Sequence, residues 1–426
     1  MIAFTASGLL ILLSLSIPVG IVLFLLAFGI DHFFSPFPLM RGLGQVVWSS
    51  SNSGTLVAIP LFVLLGEVLV RCGVARRTYE ALDAWVSWLP GGLIHANVAT
   101  ATMFSATSGS SVATAATVAT VATPQAEKLG YDPRLFSGAI AAGGTLGIMI
   151  PPSINLIVYG FLTESSIPQL FLAGLVPGLL LALLFMLVTA VLCMINPSLG
   201  GPGRHSSWSQ KFAGLRDLAP ILGLFAIVIG SIYAGWATPT EAAAVGVAIA
   251  ILIALQLGKV SKAMIFDSLR GTMRTTAMIM LVVIGAYVLN FVLTAAGVSR
   301  ALQELLQGLG LGPLATLMVI ILLYIVLGFF IETLSLMVAT IPIVVPIITQ
   351  LGYDKIWFGV LMIILVEMAL ITPPVGLNLY VVQSARKSGS ISDVMVGCIP
   401  YALAMLFMVA ALIILPGLAL YLPSTL

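Results

Sequence analysis

Two double prolines, Pro151-Pro152 and Pro373-Pro374, lie inside long apolar segments beside small polar residues. Proline has no N–H and its ring clashes with the carbonyl one turn earlier, so a helix must open at each pair and leave carbonyl oxygens without partners. At membrane depth, such a break is tolerated only where it lines a cavity inside the protein. Freed backbone carbonyls are ligands for Na⁺ in transporters. We therefore expect a sodium site at each double proline.

A short polar turn precedes each double proline and is expected to face it. The turns lie at residues 105–111 and 330–335, between apolar stretches shorter than a full membrane span. Because oxygens from a turn and from a break can share one cation, we predict two sodium sites. The residues predicted for the first site are Ser105, Thr107, Ser108, Gly109, Ser110, Gly147, Pro151, Ser153 and Asn155. The residues predicted for the second site are Glu332, Thr333, Ser335, Thr372, Pro373, Gly376 and Asn378.

The same turns predict where an anionic substrate would bind. Helices that start at Ser110 and Ser335 would direct their positive dipole ends toward the membrane centre, which favours an anionic group. No lysine or arginine falls at the centre of a predicted span, so hydroxyls and bound Na⁺ would supply the remaining attraction. No cofactor is expected beyond sodium as the coupling ion. The residues predicted to contact the substrate are Ser110, Ser153, Asn155 and Asn378.

Four glutamates lie within or near the apolar segments, where a charge is costly. Glu241 fits a capping box that begins at Thr238, which is a structural role. Glu67 and Glu367 are expected either to be paired, in the case of Glu67 with an interfacial arginine, or to be linked to proton movement. Glu332 would bind a cation or gate access at the second polar turn.

The amino-acid composition is that of a membrane protein. Of 426 residues, 60% are hydrophobic and 8% are charged. Apolar runs long enough to cross roughly 30 Å of hydrocarbon recur along the chain. In such a chain a net charge of +2 gives no indication of nucleic-acid binding. We predict an all-α polytopic membrane protein, and its unbroken spans are predicted at 7–28, 54–72, 169–195, 217–236, 239–258, 275–296 and 399–422.

The chain is expected to contain two copies of one unit. Pro124, then 129–132, then Pro151-Pro152 recur in the same order 222 residues later. An odd number of crossings separates the copies, which inverts the second one, and each copy contains a re-entrant hairpin and a Pro-Pro-broken transmembrane helix. The predicted division is a first repeat at 1–196 (hairpin about 90–128, broken helix about 133–163), a cytoplasmic linker at 197–216, and a second repeat at 217–426 (hairpin about 312–350, broken helix about 355–385).

Positive charge predicts which side of the membrane each loop occupies. If each hairpin enters and leaves on the same side, fourteen of the lysines and arginines fall on one side, and only Arg41, Arg300 and Lys355 fall on the other. Cytoplasmic loops carry such an excess, so the N-terminus is expected to be cytoplasmic and the C-terminus periplasmic. The charged segments 73–88 and 297–310 are predicted as interfacial helices that join a mobile core to a fixed frame.

Three motifs together resemble those of one transporter family. They are the polar turn at 105–111, the Gly-Ile-Met-Ile-Pro-Pro-Ser motif at 147–153 and the segment 237–246. This combination resembles the large membrane subunit of tripartite ATP-independent periplasmic (TRAP) transporters over essentially the whole chain. The resemblance implies an elevator-type secondary transporter of the bacterial inner membrane that uses sodium to import an organic acid (a carboxylate). It also implies two partners, a separate small four-span membrane subunit and a soluble periplasmic substrate-binding protein.

Four other classes of function fit the sequence less well. The nearest is a stand-alone sodium- or proton-coupled anion carrier that works without a binding protein. An ion channel would not ordinarily need two inverted broken-helix units, and the sequence has no filter-like polar ring. A membrane scaffold would show no dependence on ions. An enzyme would need a set such as Ser with His or Lys, paired aspartates or a His-Glu-x-x-His helix, none of which the sequence contains.

Overall fold

The computed structural model describes a helical chain. It covers residues 2–15, 17–35, 38–201, 206–298, 301, 310, 312–386 and 389–425, and no β-strand occurs among them. At residues 2, 3, 6, 10, 14 and 105–108 the description is of the backbone alone. In chain order the helices are α1 (Ile2–Ser14), α2 (Val19–Phe34), α3 (Leu43–Ser51), α4 (Ala58–Arg71), α5 (Val74–Val86), α6 (Leu93–Ser108), α7 (Ser111–Leu129), α8 (Pro133–Met149), α9 (Ile154–Thr163), α10 (Ile167–Ile195), α11 (Trp208–Tyr233), α12 (Pro239–Gln256), α13 (Lys262–Ala295), α14 (Pro313–Gly328), α15 (Thr333–Gln350), α16 (Lys355–Ala369), α17 (Leu377–Ala385), α18 (Ile391–Ile414) and α19 (Gly417–Leu420).

Seven helices in the described part of the chain are long and apolar enough to cross a membrane. The pair α8 and α9 adds an eighth candidate, which is bent by 41° at the break. Large apolar side chains such as Leu183 on α10 and Phe407 on α18 stay exposed, as expected of surfaces that face hydrocarbon. The prediction of an all-α polytopic membrane protein is therefore confirmed. The seven helices are the unit Gly54–Arg71 that ends in α4, together with α10, α11, α12, α13, α15 and α18.

The prediction of one continuous span over 7–28 is wrong. The chain instead forms α1 and α2, and Pro18 stands at the N-cap of α2. The two helices run antiparallel, because the ring of Phe4 near the start of α1 lies 5.8 Å from Phe33 and 5.4 Å from Phe34 at the end of α2. Hydropathy does not detect this turn, since the residues on both sides of the proline are equally apolar.

Both broken helices begin at the predicted residues because matching aspartates cap them. The carboxylate of Asp132 accepts hydrogen bonds from the backbone N–H groups two and three residues further on, at 2.9 and 3.0 Å. Asp354 accepts the equivalent pair at 2.7 and 2.9 Å. A helix start leaves such N–H groups without partners inside the helix, so these caps stabilise α8 and α16 at their first turns.

The helical hairpins pack on the broken helices. The hairpin α6–α7 packs on α8, and the hairpin α14–α15 packs on α16. In addition, α7 packs on α17 and α15 packs on α9, so each hairpin also contacts the second half of the other broken helix. These contacts gather α6–α9 and α14–α17 into one body, which we call the core unit.

A second group of helices surrounds part of the core unit. Helix α13 packs on α2 and α4, and α12 packs on α4 and α11; we call these five helices the frame. Helix α5 leads from the frame to the first hairpin and is tied to α11. Arg77 on α5 pairs with Asp217 at 3.8 Å, and the Trp85 indole N–H donates to the Lys211 carbonyl at 3.0 Å.

The frame helix α11 begins earlier than predicted. Ser207 and Gln210 form a capping box, so the helix starts at Trp208 inside the predicted linker 197–216. The capping box satisfies the first N–H groups of a turn that hydropathy alone does not assign to a helix. Residues 202–205 of this linker lie outside the described residues, as does most of the predicted interfacial segment 297–310.

Helices α8 and α18 approach each other through Gly138 and Gly397, and a Cβ on Gly397 would overlap the Arg134 carbonyl. Gly397→Ala should therefore lower the free energy of unfolding by about 1–3 kcal/mol, because overpacking displaces backbone. Thermal unfolding of the detergent-purified protein measures the loss. Gly223→Ala on α11 is the control, since a Cβ there meets nothing within 4 Å. An equal loss in both variants would contradict the close helix contact.

Candidate functional site

The first hairpin tip lies against the first double proline. Helix α6 ends at Ser108, Gly109 has a left-handed φ of 58°, and Ser110 caps α7 by accepting from the Ala113 N–H at 3.4 Å. A Cβ on Gly109 would lie 3.5 Å from the Pro152 carbonyl oxygen. The tip and the break therefore meet through backbone atoms, as the sequence predicted.

Helix α8 reaches the same tip one turn before its own end. A Cβ on Gly147 would lie 3.1 Å from the Ser110 carbonyl oxygen and 3.1 Å from the Ser111 nitrogen. Only a residue without a side chain lets α8 approach the hairpin this closely. Gly109, Ser110 and Gly147 of the predicted first site are thus brought together.

The first break is buried. Pro151, Pro152 and Ser153 are all buried, and Ser153 caps α9 by accepting from the Leu156 N–H at 3.3 Å. Asn155 is 4% exposed, and its side-chain nitrogen has no hydrogen-bond partner among the described residues. Ser105, Thr107 and Ser108 lie in the last turns of α6, and their side chains are outside the description. The polar groups of this break thus face the protein interior.

The second hairpin tip differs from the prediction. Helix α15 starts at Thr333, two residues before Ser335, and Glu332 is its N-cap. The Glu332 carboxylate accepts from the N–H groups of Leu334 at 3.1 Å and Ser335 at 3.0 Å. The prediction of a helix start at Ser335 is wrong because a carboxylate cap stabilises an earlier turn. This negative group already lies at the positive end of the helix, which weakens that end as an anion site.

The second break faces the second tip across a cavity of about 160 Å³. Glu332 and Gly376, both predicted for the second site, line this cavity. The Thr372 side chain points back to the end of α16, since its hydroxyl donates to the Met368 carbonyl at 2.7 Å. Pro373 and the residue after it are exposed, in contrast to the buried first double proline. The second site is therefore more open than the first.

Asn378 connects the two breaks. Its backbone N–H donates to the Leu370 carbonyl at 3.1 Å, and this hydrogen bond joins the two sides of the second break. Its side-chain nitrogen donates to the Ala141 carbonyl in α8 at 3.0 Å. The side chain therefore reaches the first broken helix, although the sequence assigned it to the second sodium site. Asn378 lies at the interface of the two halves of the core unit.

A buried acid makes a second link of this kind. Glu367 on α16 is 0% exposed, and its Oε2 accepts a hydrogen bond from the hydroxyl of Ser111, the first residue of α7. Its Oε1 has no hydrogen-bond partner among the described residues. Glu367 was predicted to be paired or proton-linked, whereas Ser111 was not among the predicted site residues. The signal for Ser111 is its position directly after the cap of the half-helix.

Two other glutamates have structural roles. Glu241 and Thr238 form the predicted capping box, with the Thr238 N–H donating to Glu241 Oε2 at 2.8 Å. Glu67 pairs with Arg71 one turn later, as expected for an interfacial arginine. Its carboxylate lies against Gly271 of α13, so the pair is part of the frame.

A cleft of about 1170 Å³ opens where the end of α9 meets the frame. Its walls come from the turn before α4, the α9–α10 connection and the start of α12, and most of the lining side chains are polar. We call it the end cleft. Its hydroxyl, amide and carboxylate side chains are Ser49, Asn52, Ser53, Thr55, Glu164, Ser165, Ser166, Thr238, Thr240, Glu241 and Tyr287.

Two hairpins facing two broken helices, among seven or eight candidate spans, are the arrangement of a multi-pass membrane transporter. The fold is similar to that of the YdaH transporter of Alcanivorax borkumensis, with a TM-score of 0.65, 14% identity, and coverage of 95% of this chain and 96% of that one. At this identity the similarity concerns the fold alone.

The family model of the tripartite ATP-independent periplasmic transporter DctM component matches residues 6–418. The chain belongs to this family. It is 34% identical to the C4-dicarboxylate TRAP transporter large permease protein DctM of Pseudomonas aeruginosa, with coverage of 92% of this chain and 91% of that protein. It is 30% identical to the sialic acid TRAP transporter large permease protein SiaM of Vibrio cholerae, with coverage of 89% and 88%.

Gly109→Ala should destabilise the protein more than Gly130→Ala. Both glycines have a left-handed φ, so both substitutions strain the backbone. At Gly109 the added Cβ would also press on Ile154, 3.2 Å away, whereas at Gly130 it meets nothing within 4 Å. Thermal unfolding in detergent compares the two variants. Equal losses would mean that the first tip does not pack against the first break.

Proposed function

We propose that this chain is the sodium-driven membrane subunit of a carrier that imports an organic acid delivered by an extracytoplasmic binding protein. The observation that carries the proposal is the contact of the first hairpin tip with the buried first double proline. There the left-handed Gly109 brings the tip backbone to the Pro152 carbonyl. A break of this kind, turned into the protein, is the arrangement in which transporters hold Na⁺.

Two sodium ions would bind at the two breaks, with the ligand sets named from the sequence. At the first site the carbonyls of the break and the oxygens of Ser110 and Ser153 supply the coordination. At the second site Glu332 and the segment around Gly376 line the cavity between tip and break. The Thr333 hydroxyl, which donates to the Glu332 carboxylate at 3.1 Å, would complete the set. Oxygen ligands from carbonyls, hydroxyls and one carboxylate suit a hard monovalent cation. No further cofactor is proposed.

The substrate would be a carboxylate held near the first tip. The similar proteins of Pseudomonas aeruginosa and Vibrio cholerae are named for a C4-dicarboxylate and for sialic acid, both of which carry carboxyl groups. The start of α7 is capped by the neutral Ser110, whereas the carboxylate of Glu332 caps the start of α15. The α7 start would therefore be the more suitable of the two for an anion, with the Glu367 carboxyl group beside it on Ser111. Ser110, Ser153, Asn155 and Asn378 are the proposed substrate contacts.

Transport would occur by an elevator movement of the core unit against the frame. Two inverted repeats, 1–196 and 217–426, would explain why α7 packs on α17 while α15 packs on α9, since one contact is the image of the other. The matching caps at Asp132 and Asp354 support the same pairing. Helix α5, tied to α11, is the connection along which the first hairpin would move.

The positive-inside bias supports a bacterial inner-membrane location with the side of α5 in the cytoplasm and the C-terminus in the periplasm. The N-terminal end would then share the periplasmic side with the end of α2, because α1 and α2 are antiparallel. This revises the cytoplasmic N-terminus that followed from a single span over 7–28. In this orientation the end cleft opens to the periplasm.

The word tripartite in the family description supports two partners. One would be a small four-span membrane subunit, since the similar proteins are named large permease proteins. The other would be a soluble periplasmic binding protein. Its cargo would enter at the end cleft, whose polar lining suits a hydrophilic substrate. A stand-alone carrier would need neither partner.

Sodium should raise the melting temperature of the detergent-purified chain in a saturable way. A ligand at 100 times its Kd stabilises the folded state by about 2.7 kcal/mol. The measurement is thermal unfolding across a NaCl titration, with choline chloride holding the ionic strength constant. Ser110→Ala and Asn155→Ala should move the midpoint to higher sodium. The control is Ser231→Ala on α11, whose hydroxyl bonds only its own helix in the described contacts. An equal response to KCl would contradict a sodium site.

Uptake should depend on the binding protein. Proteoliposomes containing this chain and the proposed small membrane subunit are expected to import a radiolabelled dicarboxylate only when the binding protein and an inward sodium gradient are both present. Uptake without the binding protein would favour the stand-alone carrier. Uptake driven equally by a proton gradient would contradict sodium coupling. Liposomes with a sodium gradient but without this chain are the control.

A further inference from the structure

The backbone of Glu367 lies at the second break, and its side chain contacts the first tip. Its carbonyl accepts from the Leu370 N–H at 3.0 Å, in the last turn before α16 opens. Its carboxyl group accepts from the Ser111 hydroxyl at the start of α7. One residue therefore contacts both regions in which a cation is proposed to bind.

The Ser111 end of this link lies within the first tip. Helix α8 presses Gly147 against the Ser110 carbonyl and the Ser111 nitrogen. A Cβ on Gly144, one turn earlier, would lie 3.0 Å from both the Ser111 carbonyl oxygen and the Asn378 side-chain nitrogen. A shift of Ser111 would therefore displace α8 and α17 as well as the tip.

The link is a hydrogen bond without an ion-pair partner. Within the described part of the chain Glu367 is in no salt bridge. On its own helix the nearest basic residue is Lys355, about 18 Å away along the axis. Arg134 on α8 pairs with Asp393 at 3.4 Å. A neutral acceptor of the same shape could therefore replace the carboxyl group.

We propose that Glu367 is a positioning residue that couples the two sodium sites by fixing Ser111 at the first tip relative to the second break. The inference rests on the sodium-driven function proposed above and adds a residue outside both ligand sets. When one site is filled and its break is held, the bond to Ser111 would hold the other site in its binding geometry. Such coupling lets both ions bind before the core unit moves.

Three single variants and one double variant test the coupling through the sodium midpoint of thermal stabilisation. Glu367→Leu and Ser111→Ala each remove the bond and should raise the midpoint on the order of tenfold, as expected for one buried hydrogen bond. Glu367→Gln keeps an acceptor for the Ser111 hydroxyl and should stay within about twofold of the parent chain. The double variant Ser111→Ala/Glu367→Leu should be no worse than either single change, because both remove the same interaction.

Thr117→Ala is the matched control, since its hydroxyl on α7 donates to the Ala113 carbonyl of the same helix at 2.8 Å. It should leave the sodium midpoint unchanged even if it lowers the melting temperature without sodium. If Glu367→Leu does not fold, Ser111→Ala tests the same bond from its other end. An unchanged midpoint in Ser111→Ala, or an equal rise in Glu367→Gln and Glu367→Leu, would overturn the coupling. No sodium response in the parent chain would overturn the proposed function itself.

Discussion

The break of a helix inside an apolar environment is the constraint on which the core unit depends. A double proline removes two donors and turns carbonyl oxygens away from the helix axis, and hydrocarbon offers them no partner. The protein must therefore bring other groups to the break. At Pro151-Pro152 the tip of the first hairpin approaches the Pro152 carbonyl, and Ser153 caps the helix that follows the break. The close approach of α8 through Gly147 follows from the same need.

Each hairpin contacts both broken helices, so both breaks lie within one packed unit. If each hairpin contacted only its own broken helix, the two halves of the core unit could separate at little cost in free energy. The contacts of α7 with α17 and of α15 with α9 prevent this. Asn378 and Glu367 add polar links between the halves, which are strong where no water competes for the same groups. The two halves of the core unit are therefore held together by packing and by polar contacts.

Much of this fold could be predicted from the sequence because its signals are local. Asp132 and Asp354 precede their helices directly, and the Thr238–Glu241 capping box lies within four residues. The wrong predictions involve choices that hydropathy does not register. The turn at Pro18 lies within a uniformly apolar run, and Glu332 extends α15 by a cap that a charged residue at a tip does not by itself indicate.

The site residues divide in the same way. Small and hydroxylated residues beside a break in an apolar segment are typical of a polar contact inside a membrane protein, so Gly109, Ser110 and Gly147 could be found. The link from Ser111 to Glu367 joins residues 256 positions apart and leaves no periodic signal.

The two breaks are unequal, and their difference follows from the residues at the tips. At the first tip the cap of α7 is the neutral Ser110, the Glu367 carboxyl group is bound to the neighbouring Ser111, and the break behind the tip is buried. At the second tip Glu332 offsets the positive end of α15, and Pro373 is exposed beside a cavity. Under the proposed function the first region is therefore the more suitable of the two for a carboxylate, and the second tip, which carries its own carboxylate, is the more suitable for a cation. Glutamate in place of serine as the N-cap of the second half-helix is thus the residue difference that would direct a carboxylate substrate to the first tip rather than to the second.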